Sequence, residues 1–87
     1  MIGIYKFTNK INEKSYIGQS TDIFQRKREH EHRALTNYPS NKEYNKIFYK
    51  AIRKYGLDNF SFEILEICDK AQLNEKEKYY ITLYNSY

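Results

Sequence analysis

Residues 2–18 read IGIYKFTNKINEKSYIG, and the fold follows from how this stretch is taken. Residues 2–8 alternate, with Gly3, Tyr5 and Phe7 on one face and Ile2 and Ile4 on the other, which is the period of a half-buried strand. Residues 14–18 (KSYIG) form a second short strand candidate. The intervening TNKINE, with two asparagines, is turn-rich, so the stretch reads as a β-hairpin. A symmetric register, with opposed residue numbers summing to 21, places Tyr5 opposite Tyr16 and Gly3 opposite Gly18. Opposed residues of an antiparallel pair share a sheet face about 4.5–5.5 Å apart at Cβ. The hairpin is therefore expected to present two phenols side by side between two residues without side chains.

Working outward, residues 22–35 (DIFQRKREHEHRAL) are expected to form a helix capped by Thr21 or Asp22. Arg26, His30 and Arg33 fall within about 60° of one another on it. Ile23 and Ala34 border them, a pattern that suits the wall of a cleft. Ser40 and Glu43 make a capping-box signal for a helix over roughly 42–55. Its apolar stripe is Tyr44, Ile47, Phe48, Ala51, Ile52 and Tyr55, its opposite side is rich in lysine, and Gly56 is the expected terminator. Residues 59–67 (NFSFEILEI) read as a third strand. A last helix over about 70–85, capped by Asp69, carries Leu73, Tyr80, Ile81 and Tyr84 as its stripe, with Glu77 inside it. The expected architecture is α+β: a small three-stranded antiparallel sheet flanked by helices in the order β-β-α-α-β-α.

The chain has 87 residues, enough for one modest core, in which ten tyrosines and five phenylalanines take a large share. Apolar runs of two or three residues cannot span a membrane, and the N-terminus shows no secretory pattern. A single cysteine, Cys68, allows neither an internal disulfide nor a thiolate zinc cage. The chain reads as a small intracellular globular domain, expected in the cytoplasm and expected to use no organic cofactor. Residues 1–58 carry 12 basic and 6 acidic side chains, a net +6, while residues 59–87 carry 3 and 5, a net −2. A basic field over two thirds of the chain suits a polyanion such as nucleic acid.

Several residues stand out chemically. A carboxylate inside an apolar helical stripe costs several kcal/mol to desolvate unless it is paired or binds a metal, which singles out Glu77. Arg26 and His30, one turn apart, can reach one group, the first as a bidentate phosphate donor and the second as a proton carrier. Tyr5 and Tyr16 need a cation nearby to act as bases. Gly3 and Gly18 inside strands mark either close approach of a backbone or a ligand or a simple bulge. Lys46 and Lys50, on the basic side of the second helix, are candidates for phosphate contact. A carboxylate, a guanidinium and phenol or imidazole are the parts of a metal-assisted phosphodiester-cleaving site.

Gly3-Ile4-Tyr5 followed by Tyr16-Ile17-Gly18 resembles the signature of the GIY-YIG nucleases, closest to phage-type homing endonucleases. DIFQRKREH is similar to the helix carrying the family's arginine, here Arg26, with His30 at a histidine often found in phage homing members. FYKAIRKYGLDNFSFEILE resembles their central helix and third strand, and NEKEKYYITLYNS the helix with the metal-binding glutamate, here Glu77. The resemblance covers nearly the whole chain. It implies a DNA endonuclease with Mg²⁺ or Mn²⁺ held chiefly by Glu77, water activated by Tyr5 with Tyr16 or His30, and Arg26 stabilising the scissile phosphate. It also implies a segment past the last helix with an asparagine near the site. The chain thus reads as a single catalytic domain over 1–87, truncated at its C-terminus, with a monomer allowed. Many phage relatives have a second histidine near Glu43 or Tyr44, which this chain lacks. A non-catalytic nucleic-acid-binding module and a protein-interaction domain are the competing readings.

Overall fold

The computed structural model describes residues 1–36 and 46–84. Two strands, β1 (Gly3–Asn9) and β2 (Ser15–Ser20), form the expected hairpin and are followed by helix α1 (Ile23–Leu35) and helix α2 (Ile47–Tyr55). Strand β3 (Phe60–Ile67) and helix α3 (Leu73–Tyr84) complete the chain, in the expected order β-β-α-α-β-α. The sheet is antiparallel, with β1 central between β2 and β3.

The hairpin register differs from the expected one by two residues. Tyr5 lies opposite Gly18, Phe7 opposite Tyr16 and Gly3 opposite Ser20, so opposed numbers sum to 23. Local polar contacts around the turn set this. The Asn9 amide donates to the Lys14 carbonyl (2.8 Å) and the Glu13 amide to the Asn9 carbonyl (2.7 Å). The side chains of Asn9 and Asn12 accept from the amides of Ile11 and Lys14, and Glu13 takes a positive φ of 63°. Asparagine side chains that mimic backbone turns in this way shift the loop centre towards Asn12. Because the displacement is two residues, both tyrosines keep their sheet face. They sit diagonally rather than directly opposite.

The two faces of the sheet bury separate clusters. Tyr5 and Phe7 of β1 pack with Ile23 and Ala34 of α1 and with Phe48, Tyr49 and Ile52 of α2. Ile4 and Ile17 pack under Leu73 of α3, with Leu65, the half-buried Cys68 and Tyr80 alongside. α1 is capped by Asp22, whose carboxylate accepts from the Gln25 amide, and an Arg53 side chain donates to the Ala34 carbonyl near its end (2.8 Å). α2 is described from Ile47, so Ser40, Glu43 and Tyr44 of the expected stripe and capping box lie outside the described residues. Ile47 is exposed, contrary to the expected stripe. The buried face is centred on Phe48, Tyr49 and Ile52, which puts Ile47 about two fifths of a turn away.

Asp69 and Gln72 form a reciprocal capping box around a 3-10 turn over Lys70–Gln72, so α3 begins at Leu73. Ile81 and Tyr84, expected in its stripe, are exposed. The helix docks on the apolar cluster through Leu73 and Tyr80. The Tyr80 hydroxyl also donates to Glu66 (2.9 Å), Lys76 pairs with Glu66 (3.1 Å), and Lys6 rests over the Tyr84 ring. Glu66 is held below the usual carboxylate range by the Tyr80 and Lys76 hydrogen bonds.

Candidate active site

Tyr5, Tyr16, Arg26 and His30 converge on the α1/α2 face. The Tyr5 hydroxyl and Nε2 of His30 are 2.6 Å apart, and both side chains are fully buried. Tyr16 stacks on Phe48 with ring centroids 4.2 Å apart, and its ring meets His30 edge-on at 5.4 Å. Both phenols therefore flank one imidazole, although they do not oppose each other across the hairpin. Arg26 lies within hydrogen-bonding reach of Tyr5 and also pairs with Glu29 at 3.0 Å. His32 is exposed on the other side of α1.

Burial raises the Tyr5 phenol well above its ordinary value, and Tyr16 adds to the effect, while the Arg26 guanidinium pulls the other way. Removing charge from water disfavours the phenolate more than one partly exposed cation favours it. At neutral pH Tyr5 is a neutral phenol, and any role as a base requires a neighbour to take its proton.

The two glycines have distinct structural causes. A Cβ on Gly18 would overlap the Tyr5 hydroxyl and ring edge. The absence of a side chain there is what allows the phenol to lie across β2 and reach His30. A Cβ on Gly3 would overlap the Glu66 carbonyl of β3, next to the irregularity in β1–β3 pairing between Ile4 and Tyr5. At Gly3 the close neighbour is a backbone.

Glu77 arrives from the opposite face. It is half-buried on α3, and its Oε1 accepts from Nε2 of Gln19 (3.3 Å), which also donates to Oδ1 of Asn74 (2.8 Å). Gln19 follows Gly18 on the edge strand β2. The phenol of Tyr5 and the carboxylate of Glu77 thus meet the same dipeptide, Gly18-Gln19, from its two sides. Lys46 and Lys50 are exposed at and just after the start of α2. A cavity of about 290 Å³ lined by Tyr16, Lys46, Ile47 and Phe48 opens beside them.

Two residues here escape the sequence reading. Tyr49 holds the other ring nitrogen of His30, with its hydroxyl 2.7 Å from Nδ1. Its signal was present, since Tyr49 lies three residues before Ile52 and next to Phe48, on the face that α2 buries. Gln19 carries no local signal, because its partner is 58 positions away.

Glu77 offers carboxylate oxygens, and Asn74 an amide oxygen that shares the Gln19 donor, hard ligands suited to a divalent cation. Among the described residues no three His, Cys, Asp or Glu side chains gather as a metal cage. One carboxylate with water and substrate phosphate is how Mg²⁺ is commonly held, so the residues present fit such an ion. No helix among the described residues is long and apolar enough to cross a membrane.

Comparison with known proteins identifies the family. The chain is 37% identical over 90 residues to a probable intron-encoded endonuclease 1 of Neurospora crassa, covering 95% of this chain and 27% of that protein. It is 40% identical over 80 residues to the putative endonuclease segB of Enterobacteria phage T4, covering 90% and 30%. The chain thus spans less than a third of the length of these relatives. The solved catalytic domain of the homing endonuclease I-TevI superposes with a TM-score of 0.77 at 26% identity, covering 98% of this chain and 89% of that one. The family profile described as the GIY-YIG catalytic domain matches residues 1–87, and the chain belongs to this family.

Proposed function

We propose that the chain is the catalytic part of a divalent-metal-dependent endonuclease that hydrolyses DNA phosphodiester bonds. The observation that carries this reading is the Tyr5 hydroxyl 2.6 Å from Nε2 of His30 and within hydrogen-bonding reach of Arg26, with Glu77 on the other side of Gly18-Gln19. Family membership and the names of the relatives support the same reaction.

The residues then divide the work. Tyr5 accepts a proton from the attacking water once its own has passed to His30. Arg26 donates to a phosphate oxygen as charge develops there, and a fixed donor of this kind is commonly worth about 10²–10³ in rate. Glu77 would hold the metal, Mg²⁺ or Mn²⁺, which when bound polarises the phosphoryl oxygen and neutralises charge on the departing one. Tyr16 closes the aromatic wall against His30. Gly18 admits the phenol, and Gly3 keeps β3 close to β1. Lys46 and Lys50 contact the backbone of DNA without reading sequence.

The test is nicking of supercoiled plasmid in Mg²⁺ or Mn²⁺, with wild type against Glu77→Gln and Arg26→Ala. Glutamine retains the shape and an acceptor for Gln19 but removes the charge. Wild type is expected to nick only with the metal present, and each variant to lose about 10²-fold or more while keeping the wild-type melting curve. A folded Glu77→Gln protein with full metal-dependent nicking would overturn the assignment. Salt-sensitive DNA binding without strand breaks in wild type would mean a binding module that keeps the nuclease fold.

A further inference from the structure

His30 is buried with both ring nitrogens engaged, Nε2 by the Tyr5 hydroxyl at 2.6 Å and Nδ1 by the Tyr49 hydroxyl at 2.7 Å. A neutral imidazole has one N–H and one lone pair, so the two contacts must run in opposite senses. The surroundings of Tyr5 decide between the two arrangements. It is within hydrogen-bonding reach of the Arg26 guanidinium, which has only N–H donors and cannot receive a proton. The phenolic proton of a fully buried hydroxyl needs an acceptor, and Nε2 supplies one at a distance typical of a short O–H···N bond. Nδ1 then carries the hydrogen and donates it to Tyr49.

We propose that Tyr49 is a positioning residue for the reaction: its hydroxyl oxygen receives Nδ1–H of His30 and so keeps the Nε2 lone pair aimed at Tyr5. This rests on the reading of Tyr5 as the group that deprotonates water. The order is that of a reacting hydroxyl, a base and a third group that fixes the base's tautomer. In the step itself the proton leaves the Tyr5 oxygen for Nε2, giving a phenolate and an imidazolium with no change in net charge. The phenolate is within hydrogen-bonding reach of Arg26, and the imidazolium keeps its Nδ1–H on Tyr49. The phenolate then takes a proton from water. The resulting hydroxide forms the new P–O bond as the bond to the departing oxygen breaks. The departing oxygen takes a proton from solvent water, and the hydroxide so formed removes the Nε2 proton, which restores neutral phenol and imidazole.

The aromatic neighbours make this geometry rigid. His30 meets Phe7, Phe48 and Tyr16 edge-on, with ring centroids 5.9, 5.7 and 5.4 Å away. These contacts fix the ring plane. They leave the choice of which nitrogen bears hydrogen to the two hydroxyls.

The test is long-range ¹H–¹⁵N correlation spectroscopy of the His30 ring in the full chain, with plasmid nicking run alongside. Wild type is expected to show His30 protonated at Nδ1 and bare at Nε2. The Tyr49→Phe variant is expected to show a mixture of tautomers or a shift to Nε2–H, with kcat reduced about 10- to 100-fold and KM for DNA unchanged. Wild-type His30 protonated at Nε2 would overturn the proposal, and that result needs no variant to fold. So would a Tyr49→Phe protein with wild-type kcat. The spectrum can be read whether or not the chain cleaves DNA. A wild type with the expected tautomer but no nicking refutes the proposed function, and supports the Tyr49–His30 arrangement alone.

Discussion

Replacing Gly18 with alanine inserts one methyl group where the Tyr5 hydroxyl lies, and the consequence can be worked from the contacts. The new Cβ would overlap the phenol oxygen, and even the ring carbon Cε1 would be only 2.8 Å away. The ring has little room to retreat. It is buried, with Phe7 edge-on at 6.0 Å and Phe62 stacked at 5.7 Å between centroids. Overpacking of this kind costs about 1–3 kcal/mol. A hydroxyl pushed about 1 Å from its 2.6 Å contact with His30 no longer makes a good hydrogen bond, and a buried polar group left unmatched costs a further ~1–3 kcal/mol. The expected loss is about 2–6 kcal/mol, which in a domain of this size lowers Tm by at least about 8 °C. Differential scanning calorimetry on Gly18→Ala, Tyr5→Phe and the double variant measures it. The hydroxyl-less ring relieves the clash at oxygen but not at carbon, so the double variant should be more stable than the sum of single effects by roughly 1 kcal/mol. A Gly18→Ala protein melting within about 2 °C of wild type, or a strictly additive cycle, would refute the argument that Gly18 exists to admit the phenol.

Two further outcomes follow from the same contacts. Burial raises the Tyr5 phenol above its unfolded value near 10. The folded state therefore holds this proton more tightly, and the contribution to stability is complete below about pH 10 and lost as pH rises from there towards the folded value. Alkaline titrations of Tm should fall more steeply above pH 10 for wild type than for Tyr5→Phe, and equal slopes would mean that the phenol is not buried as a neutral group. Exposed Lys46 and Lys50, if they lie on the DNA path, each contribute about one unit to the slope of log K against log salt. Fluorescence anisotropy with a duplex should show that slope reduced by roughly two in the Lys46→Ala/Lys50→Ala protein, and an unchanged slope would place the DNA elsewhere.

The hairpin was legible because alternation and turn composition act over a few residues. Its register was not, because the choice between sums of 21 and 23 depends on which backbone amides the Asn9 and Asn12 side chains accept from. Composition puts two asparagines in the turn without saying where each points. The face of each tyrosine survived the error, since strand side chains repeat every two residues. In α2 the pattern was read one residue to the wrong side. Ile47 and Tyr49 flank Phe48 symmetrically in sequence, and apolarity alone favours isoleucine for the core. The tertiary structure instead buries Tyr49, because His30 offers its hydroxyl a partner and Ile47 has no such call on the interior. α3 shows a third limit. Its stripe predicts burial along its length, yet the apolar contact with the sheet is made by Leu73 and Tyr80, while Ile81 and Tyr84 are exposed, with Lys6 over the Tyr84 ring. Glu77 was recognisable as a carboxylate out of place, but its partner Gln19 was not, because the pairing exists only once α3 lies across β2.

The separation of the site residues by a sheet explains why the motif glycine and the strand order belong together. A sheet is a wall: groups on its two faces can act on one substrate atom only at an edge. Tyr5 lies on the central strand β1, where a direct route to the edge crosses one neighbour. That neighbour is β2, which has no strand beyond it among the described residues. At Gly18 the neighbour has no side chain, so the phenol passes over it. At Gln19 the next side chain turns to the opposite face and meets Glu77. Placing the same tyrosine opposite any other residue of β2 would bury its hydroxyl under a side chain. Placing β2 in the middle of the sheet would leave Glu77 and Tyr5 on permanently separate surfaces. The thirteen-residue interval from Tyr5 to Gly18 is thus a geometric requirement set by the turn, and it is met only in the register that the two asparagines impose.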